Sequence, residues 1–168
     1  EKTDKQYITL QDSVIEGAVR MRPSILPGLL DAVRLNLNHQ RRDIKLLEVG
    51  KVFAALSGEG NLPNERELFS LVVTGGEIQQ GRVMAVREYD FYDAKGAVEA
   101  ALDAVGLNTV EFTAADVKHF RKGQSASISV AEQNLGTIGR LIHAIASNYK
   151  FKQAVYVSDI DLQSVLEV

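Results

Sequence analysis

Only a few residues in this chain have the types and spacing that chemistry needs. Asp90 with Asp93, and Asp159 with Asp161, are close enough in sequence to act as carboxylate pairs. Asp90 stands just before an apolar-periodic stretch, so helix capping and first-turn electrostatics account for the first pair. Asp159 and Asp161 alternate with Ile160 and Leu162, which sends both carboxylates to one side of a strand. There they would hold a cation or face solvent. The three histidines, His39, His119 and His143, are far apart. His39 with Asp43, and Asp116 with His119, have ligand-like spacing but lie outside the expected helices, so no metal site is expected. The chain has no cysteine, which removes disulfides, thiolate ligands and cysteine nucleophiles together. No serine has a flanking base, and no Gly-x-Ser-x-Gly elbow is present. Gly58-Glu59-Gly60 lacks the Lys and Ser/Thr of a phosphate loop, and Gly136-Thr137-Ile138-Gly139 falls within a hairpin.

The basic residues offer a second kind of chemistry. His39, Arg41 and Arg42 follow a helix, where cations suit the negative end of the dipole or can meet phosphate. Lys118-His119-Phe120-Arg121-Lys122 is a basic run with an aromatic inside it, expected in a loop before a hairpin. Such a run can contact nucleic-acid phosphates. Net charge is −3, so no overall positive field draws in a polyanion. Charge is uneven, however: residues 114–152 hold two acidic and six basic residues.

The elements that must position these groups follow from periodicity. With 168 residues, 45% hydrophobic and 24% charged, one globular domain is expected. No apolar run approaches the ~20 residues of a membrane span. Short extended pieces at Tyr7–Thr9 and Ala18–Met21 precede Arg22-Pro23, which disfavours helix at Arg22. Ser24 can cap a helix from Ile25 to Asn38, with Pro27 in its first turn. Its stripe is Leu26, Leu30, Val33 and Leu37, widened by Leu29. Asp43–Val49 and Lys51–Phe53 read as a strand with an irregularity at Gly50. Ser57–Asn64 reads as a loop, and Glu67–Thr74 as a buried strand. Glu77–Glu88 has no clear pattern. Phe91–Val105 is a helix with stripe Phe91, Ala94, Val98, Ala101, Leu102 and Val105, and with Gly106 as its stop. Gly96 inside it suggests close packing on another backbone. Thr109–Thr113 is a short strand. Ser125–Val130 and Leu135–Leu141 form a hairpin about Ala131–Asn134. A helix at His143–Tyr149, a strand at Ala154–Ile160 and a helical turn at Leu162–Leu166 complete the chain. Hairpins among helices give an α+β fold with a mainly antiparallel sheet flanked by helices.

Several stretches, in order, resemble the β subunit of bacterial phenylalanyl-tRNA synthetase. They are Met21-Arg22-Pro23-Ser24-Ile25-Leu26-Pro27-Gly28-Leu29-Leu30, Asn36-Leu37-Asn38, Leu47-Glu48-Val49-Gly50-Lys51-Val52-Phe53 and Tyr89-Asp90-Phe91-Tyr92-Asp93-Ala94-Lys95-Gly96. Gly123-Gln124-Ser125-Ala126, Ile138-Gly139-Arg140-Leu141 and Val155–Leu166 follow. Two places depart from the family pattern. Arg121-Lys122-Gly123-Gln124-Ser125 stands where the family has His-Pro-Gly-Arg-Ser, and Gly139-Arg140-Leu141-Ile142-His143 where it has Gly-Glu-Leu-His-Pro.

The resemblance implies a degenerate class II synthetase-like core, residues 1–168, excised from a longer chain. In that family the α subunit performs the chemistry in the cytoplasm, activating phenylalanine with ATP and Mg and passing it to tRNA(Phe). The β domain would then be a structural and assembly domain packed on α in a tetramer of two α and two β chains, with no membrane contact and no cofactor of its own. Interface candidates are Arg22, Pro23, Ser24, Pro27 and Leu29. Candidate tRNA contacts are Arg41, Arg42, Arg121 and Lys122. In catalytic class II relatives an Arg that binds the ATP α-phosphate stands at the position of Ala54. The glycine-rich strand and the nucleotide-holding Arg stand at Asp159, Asp161 and Ser164. Guanidinium groups offset the phosphate charge of an adenylate, and carboxylates oppose it, so these four positions read as a vestigial, non-catalytic site. Two alternatives remain: a tRNA-contacting module using the basic loop residues, or a small enzyme with a carboxylate site at Asp159 and Asp161.

Overall fold

In the computed structural model, residues 8–10, 19–55, 62–79 and 85–168 are described. The elements run α1 Leu26–Asn38, β1 Ile44–Ala54, β2 Asn64–Thr74, β3 Gly76–Gln79, β4 Ala85–Glu88, α2 Phe91–Asp103, β5 Glu111–Ala114, β6 Phe120–Val130, β7 Gln133–Leu141, α3 His143–Asn148, β8 Val155–Asp161 and α4 Leu162–Leu166. Six strands form one sheet in the order β1-β2-β8-β7-β6-β5, and β3 pairs with β4 separately. Every pairing is antiparallel. The expected α+β architecture is therefore the one observed.

The sheet is buried on both faces, which is why its central strands carry near-continuous apolar runs. On one face Leu29, Leu30 and Val33 of α1 pack on Ile44, Val52, Val72 and Val157, with Phe120 and Phe151 closing the cluster. On the other, Ala94, Val98 and Leu102 of α2 pack on Leu71, Val73, Ile128, Ile138, Tyr156 and Ile160. Alternate residues of β2 and β8 thus serve opposite layers.

Local chemistry explains most element ends. Asp90 accepts from the Tyr92 and Asp93 amides while the Asp93 carboxylate accepts from the Asp90 amide, a reciprocal capping box. α2 stops at Asp103, two residues short of expectation, and Val105 is exposed beyond it. Gly106 follows with φ +92, the left-handed conformation that suits glycine. Ser24 acts one residue earlier than expected: its hydroxyl accepts from the Leu26 amide at 3.2 Å, and the helix begins after Ile25.

Four expectations need correction. β1 runs unbroken through Gly50; a Cβ there would strike the Arg22 guanidinium, so the glycine makes room for a side chain and marks no irregularity. Gly96 has nothing within 4 Å of a notional Cβ, so it faces open space and does not pack on a backbone. β2 begins at Asn64, three residues before the expected start. The stretch 77–88, which had no readable pattern, contributes β3 and β4, joined by residues outside the described set. The early pieces pair through a Thr9–Arg20 bridge, while Tyr7 and Ala18 lie outside the described residues.

Candidate functional site

Two clefts open at opposite ends of the β7–β8 pair. The first, of about 370 Å³, lies where β8 ends and β2 and β7 begin, and includes Asp159, Asp161, Ser164, Arg66, Ser24 and Thr137 in its lining. β8 presents Asp159 and Asp161 two residues apart on the α1 face, as the alternation implies. Asp159 stands opposite Ser70 of β2 and Thr137 of β7. The fully buried Ser70 donates its hydroxyl to the Asp159 carboxylate at 2.5 Å. Burial pushes the Asp159 carboxyl up; the Ser70 hydrogen bond and nearby His119 oppose this. Burial likewise pushes His119 down, and its Nε2 is buried without a hydrogen-bond partner among the described residues.

Asp161 is already committed. It meets the Arg66 guanidinium at 3.3 Å and accepts from the Gln163 amide at 3.0 Å, capping α4. Arg66 is the only Lys or Arg among the described residues of the cleft lining, and it is spent on that pair. Ser164 lines the cleft, and its carbonyl accepts from Gln133. Ala54 does not join them. It ends β1 opposite Asn64, whereas Asp161 pairs with Leu68; four residues of strand amount to about 13 Å. Three of the four vestigial positions therefore converge. Ser70 and Arg66 escaped the sequence reading because only the cross-strand register brings them to Asp159 and Asp161.

The second cleft is larger, about 710 Å³, and basic. Arg121 and Lys122 of β6, Arg140 of β7, His143 of α3 and Lys152 in the connection to β8 all line it, and among the described residues no carboxylate does. Arg121 and Lys122 were expected in a loop. They lie in β6 instead, beside an irregularity between Phe120 and Ser125 where Gly123 has φ +74. Lys122 reaches Asp116 only at 3.8 Å, and Arg140 reaches Gln124 at 3.5 Å. Arg41 and Arg42 sit in the turn after α1, next to this cleft: cleft-lining Gln153 donates to the Arg42 carbonyl at 2.8 Å and to Thr74 Oγ1 at 3.0 Å. The four candidate phosphate contacts thus share one end of the sheet. Arg140 was missed because it is an isolated cation in the sequence, and Lys152 because only the fold brings the Lys150-Phe151-Lys152 stretch beside β6 and β7. Both stretches that depart from the family pattern contribute to this lining.

The interface candidates divide. Arg22 donates to the Lys51 carbonyl at 2.9 Å and pairs with Glu48 at 2.6 Å, strapping the lead-in to β1. Pro23 and Ser24 line the first cleft, and Pro27 is exposed in the first turn of α1. Leu29 is only 4% exposed, so it fills the core beneath α1 and presents nothing at the surface. A different apolar surface exists: Leu47 and Val49 of β1 are 65% and 51% exposed on the face away from α1. The adjacent Leu46-Leu47 was the available sign, since neighbouring residues on a strand point to opposite faces. Among the described residues, no three His, Asp or Glu side chains are grouped as metal ligands.

Comparison with known proteins follows from this geometry. Residues 1–162 match the family described as Phenylalanyl tRNA synthetase beta chain CLM domain. The phenylalanine–tRNA ligase β subunit of Geobacter sulfurreducens is 30% identical over 163 residues, covering 96% of this chain and 20% of its own length. That of Staphylococcus epidermidis is 34% identical over 168 residues, covering 98% of this chain and 20% of its own length. The chain thus spans about a fifth of the length of these relatives. Among solved structures, the pyrrolysyl-tRNA synthetase PylSc of Desulfitobacterium hafniense aligns over 96% of this chain and 52% of its own, with a TM-score of 0.71 at 16% identity. That likeness concerns the fold alone.

Proposed function

The chain belongs to the phenylalanyl-tRNA synthetase β chain family, and from that premise we propose that it is a non-catalytic assembly domain of a phenylalanine–tRNA ligase. It packs on the α subunit in a tetramer of two α and two β chains, in the cytoplasm, and supports aminoacylation of tRNA(Phe). The observation that carries the non-catalytic reading is the acidic cleft. A nucleotide triphosphate placed there would meet the Asp159 and Asp161 carboxylates, and the one guanidinium available, Arg66, already answers Asp161. Developing phosphate charge needs aimed cations, and Ala54 supplies none. ATP and Mg therefore belong to the α subunit, and this domain holds no cofactor.

The assembly reading is supported by the uncovered face of β1. Leu47 and Val49 lie on an edge strand, where exposed apolar side chains invite a partner. No helix among the described residues is long and apolar enough to cross a membrane. The carboxylate-enzyme alternative is weaker because Asp161 is held by Arg66 and the Gln163 amide, which leaves one reactive carboxylate.

The test is an ATP–pyrophosphate exchange assay with phenylalanine, run on the purified chain and on its complex with α. Exchange by the complex alone supports the reading, whereas exchange above background by the chain refutes it. Co-purification supports assembly, and two folded partners that elute separately count against it.

A further inference from the structure

We propose that the cleft lined by Arg121, Lys122, Arg140 and Lys152 is a binding site for the phosphate backbone of RNA. The four cations come from three parts of the chain, and the fold alone brings them together: β6, β7 and the link between α3 and β8 meet at one end of the sheet. Among the described residues, no carboxylate lines the cleft. Arg121 and Lys152 have no ion-pair or hydrogen-bond partner among the described residues, and the contacts of Lys122 and Arg140 are long. Nearby, the Arg41–Arg42 turn is tied to the cleft by Gln153. In a chain of net charge −3, this array gathers cations against the overall balance, which is the footprint of a polyanion site.

The four cations stand on three separate segments, so a backbone with successive phosphates uses them better than one isolated anion does. Arg121 and Arg140 can each take a phosphate with two N–H groups, and the lysines act as point charges. The exposed His143 ring on the rim gives a base a surface to stack on. The choice of RNA over other polyanions rests on the reading of the chain as part of a tRNA ligase, while the cationic cleft itself does not.

The experiment uses the complete protein bearing this chain, in complex with its α partner, and fluorescence anisotropy of a labelled tRNA transcript over about 0.05–1 M salt. The variants are R121Q/K152Q and K122Q/R140Q, with K51Q at the opposite end of the sheet as control. Each phosphate contact contributes about 0.7–0.9 to the slope of log affinity against log salt. Each double variant therefore lowers the slope by about 1.4–1.8. If the proteins converge at about 1 M salt, the loss at 0.15 M is about 15- to 30-fold. It applies equally to non-cognate transcripts, because backbone contacts carry no sequence. K51Q leaves slope and affinity unchanged. Unaltered melting curves and co-purification with α separate a lost contact from a lost fold or assembly.

The proposal is overturned if both double variants keep the parent slope and affinity. It is also overturned if ~10 mM inorganic phosphate displaces the transcript as readily as unlabelled RNA does, which marks a small-anion site. Weakened association with α at unchanged RNA affinity overturns it as well, since the cleft then receives an acidic protein surface. Failure of the assembly reading shows up separately, as loss of co-purification in the unmodified protein.

Discussion

Replacing Ser70 with Ala should destabilise the fold through one buried carboxylate. Ser70 is fully buried on β2, directly opposite Asp159 on β8, and its hydroxyl is the one hydrogen-bond donor to that carboxylate among the described residues. No cation bonds to Asp159 among the described residues, and burial raises its carboxyl above the usual range. A hydrogen bond to a charged group contributes about 1.5–3 kcal/mol, and an orphaned buried acceptor adds a desolvation penalty. S70A should therefore cost about 2 kcal/mol wherever Asp159 is charged. For a domain of this size that is a fall in Tm of about 4–8 °C.

The pH dependence gives the sharper check. A folded-state value raised above the unfolded one means that protonation favours the fold, so the penalty of a charged Asp159 appears as pH rises through the folded value. Ser70 pulls that value down, and removing it raises it further. The gap between S70A and parent should be full where Asp159 is charged in both folded proteins and shrink as pH falls toward the ordinary aspartate range. In D159N, which keeps an acceptor for Ser70 and buries no charge, stability at neutral pH should equal or exceed that of the parent. Adding S70A to it should then cost about 1 kcal/mol or less. Urea melts at several pH values measure all four proteins. An S70A penalty independent of pH, or a D159N loss as large as that of S70A, would refute the electrostatic account.

Three further outcomes are expected. D90A removes the α2 cap and should cost about 1 kcal/mol in thermal melts. The Asp93 carboxyl is held down to about 2 by its hydrogen bonds to Arg87, so its contribution is present above the unfolded value near 3.8 and lost as pH falls through about 2; acid titration of D93N should lack that step. L47S should leave fold stability within about 0.5 kcal/mol. It should weaken association with α by about 1–2 kcal/mol, roughly 5- to 30-fold in a calorimetric titration, because a side chain already 65% exposed gains its burial only in the complex.

Both long helices and most of the strands were readable, because their signals are local: the Leu29-Leu30-Val33 stripe, the Asp90 cap with Gly106 beyond, and the alternation of Ala126, Ile128 and Val130. What escaped depended on partners far away in the sequence. Gly50 looked like a break because nothing near it in the chain shows that Arg22 needs the space. Asp161 looked free because Arg66 lies 95 residues away. Arg121 and Lys122 looked like loop residues because their strand pairing is interrupted before Ser125. The two-residue turn of the β6–β7 hairpin places Ala131 and Glu132 at φ +48 and +70, a conformation those residue types do not advertise.

The same register effect accounts for the division of charge along the sheet. β7 and β8 run antiparallel, so the start of one lies beside the end of the other. Asp159 and Asp161 at the end of β8 therefore meet the start of β7, while Arg140 near the end of β7 meets the start of β8 and Lys152. Asp159 stands opposite Thr137 and Arg140 opposite Tyr156, three register positions or about 10 Å apart, and the strand alternation sends the two side chains to opposite faces of the sheet. The described lining of each cleft therefore carries its own charge balance. A net charge of −3 argued against attraction of nucleic acid to the molecule as a whole. It does not bear on a cleft whose described lining holds four Lys or Arg side chains, a histidine and no carboxylate.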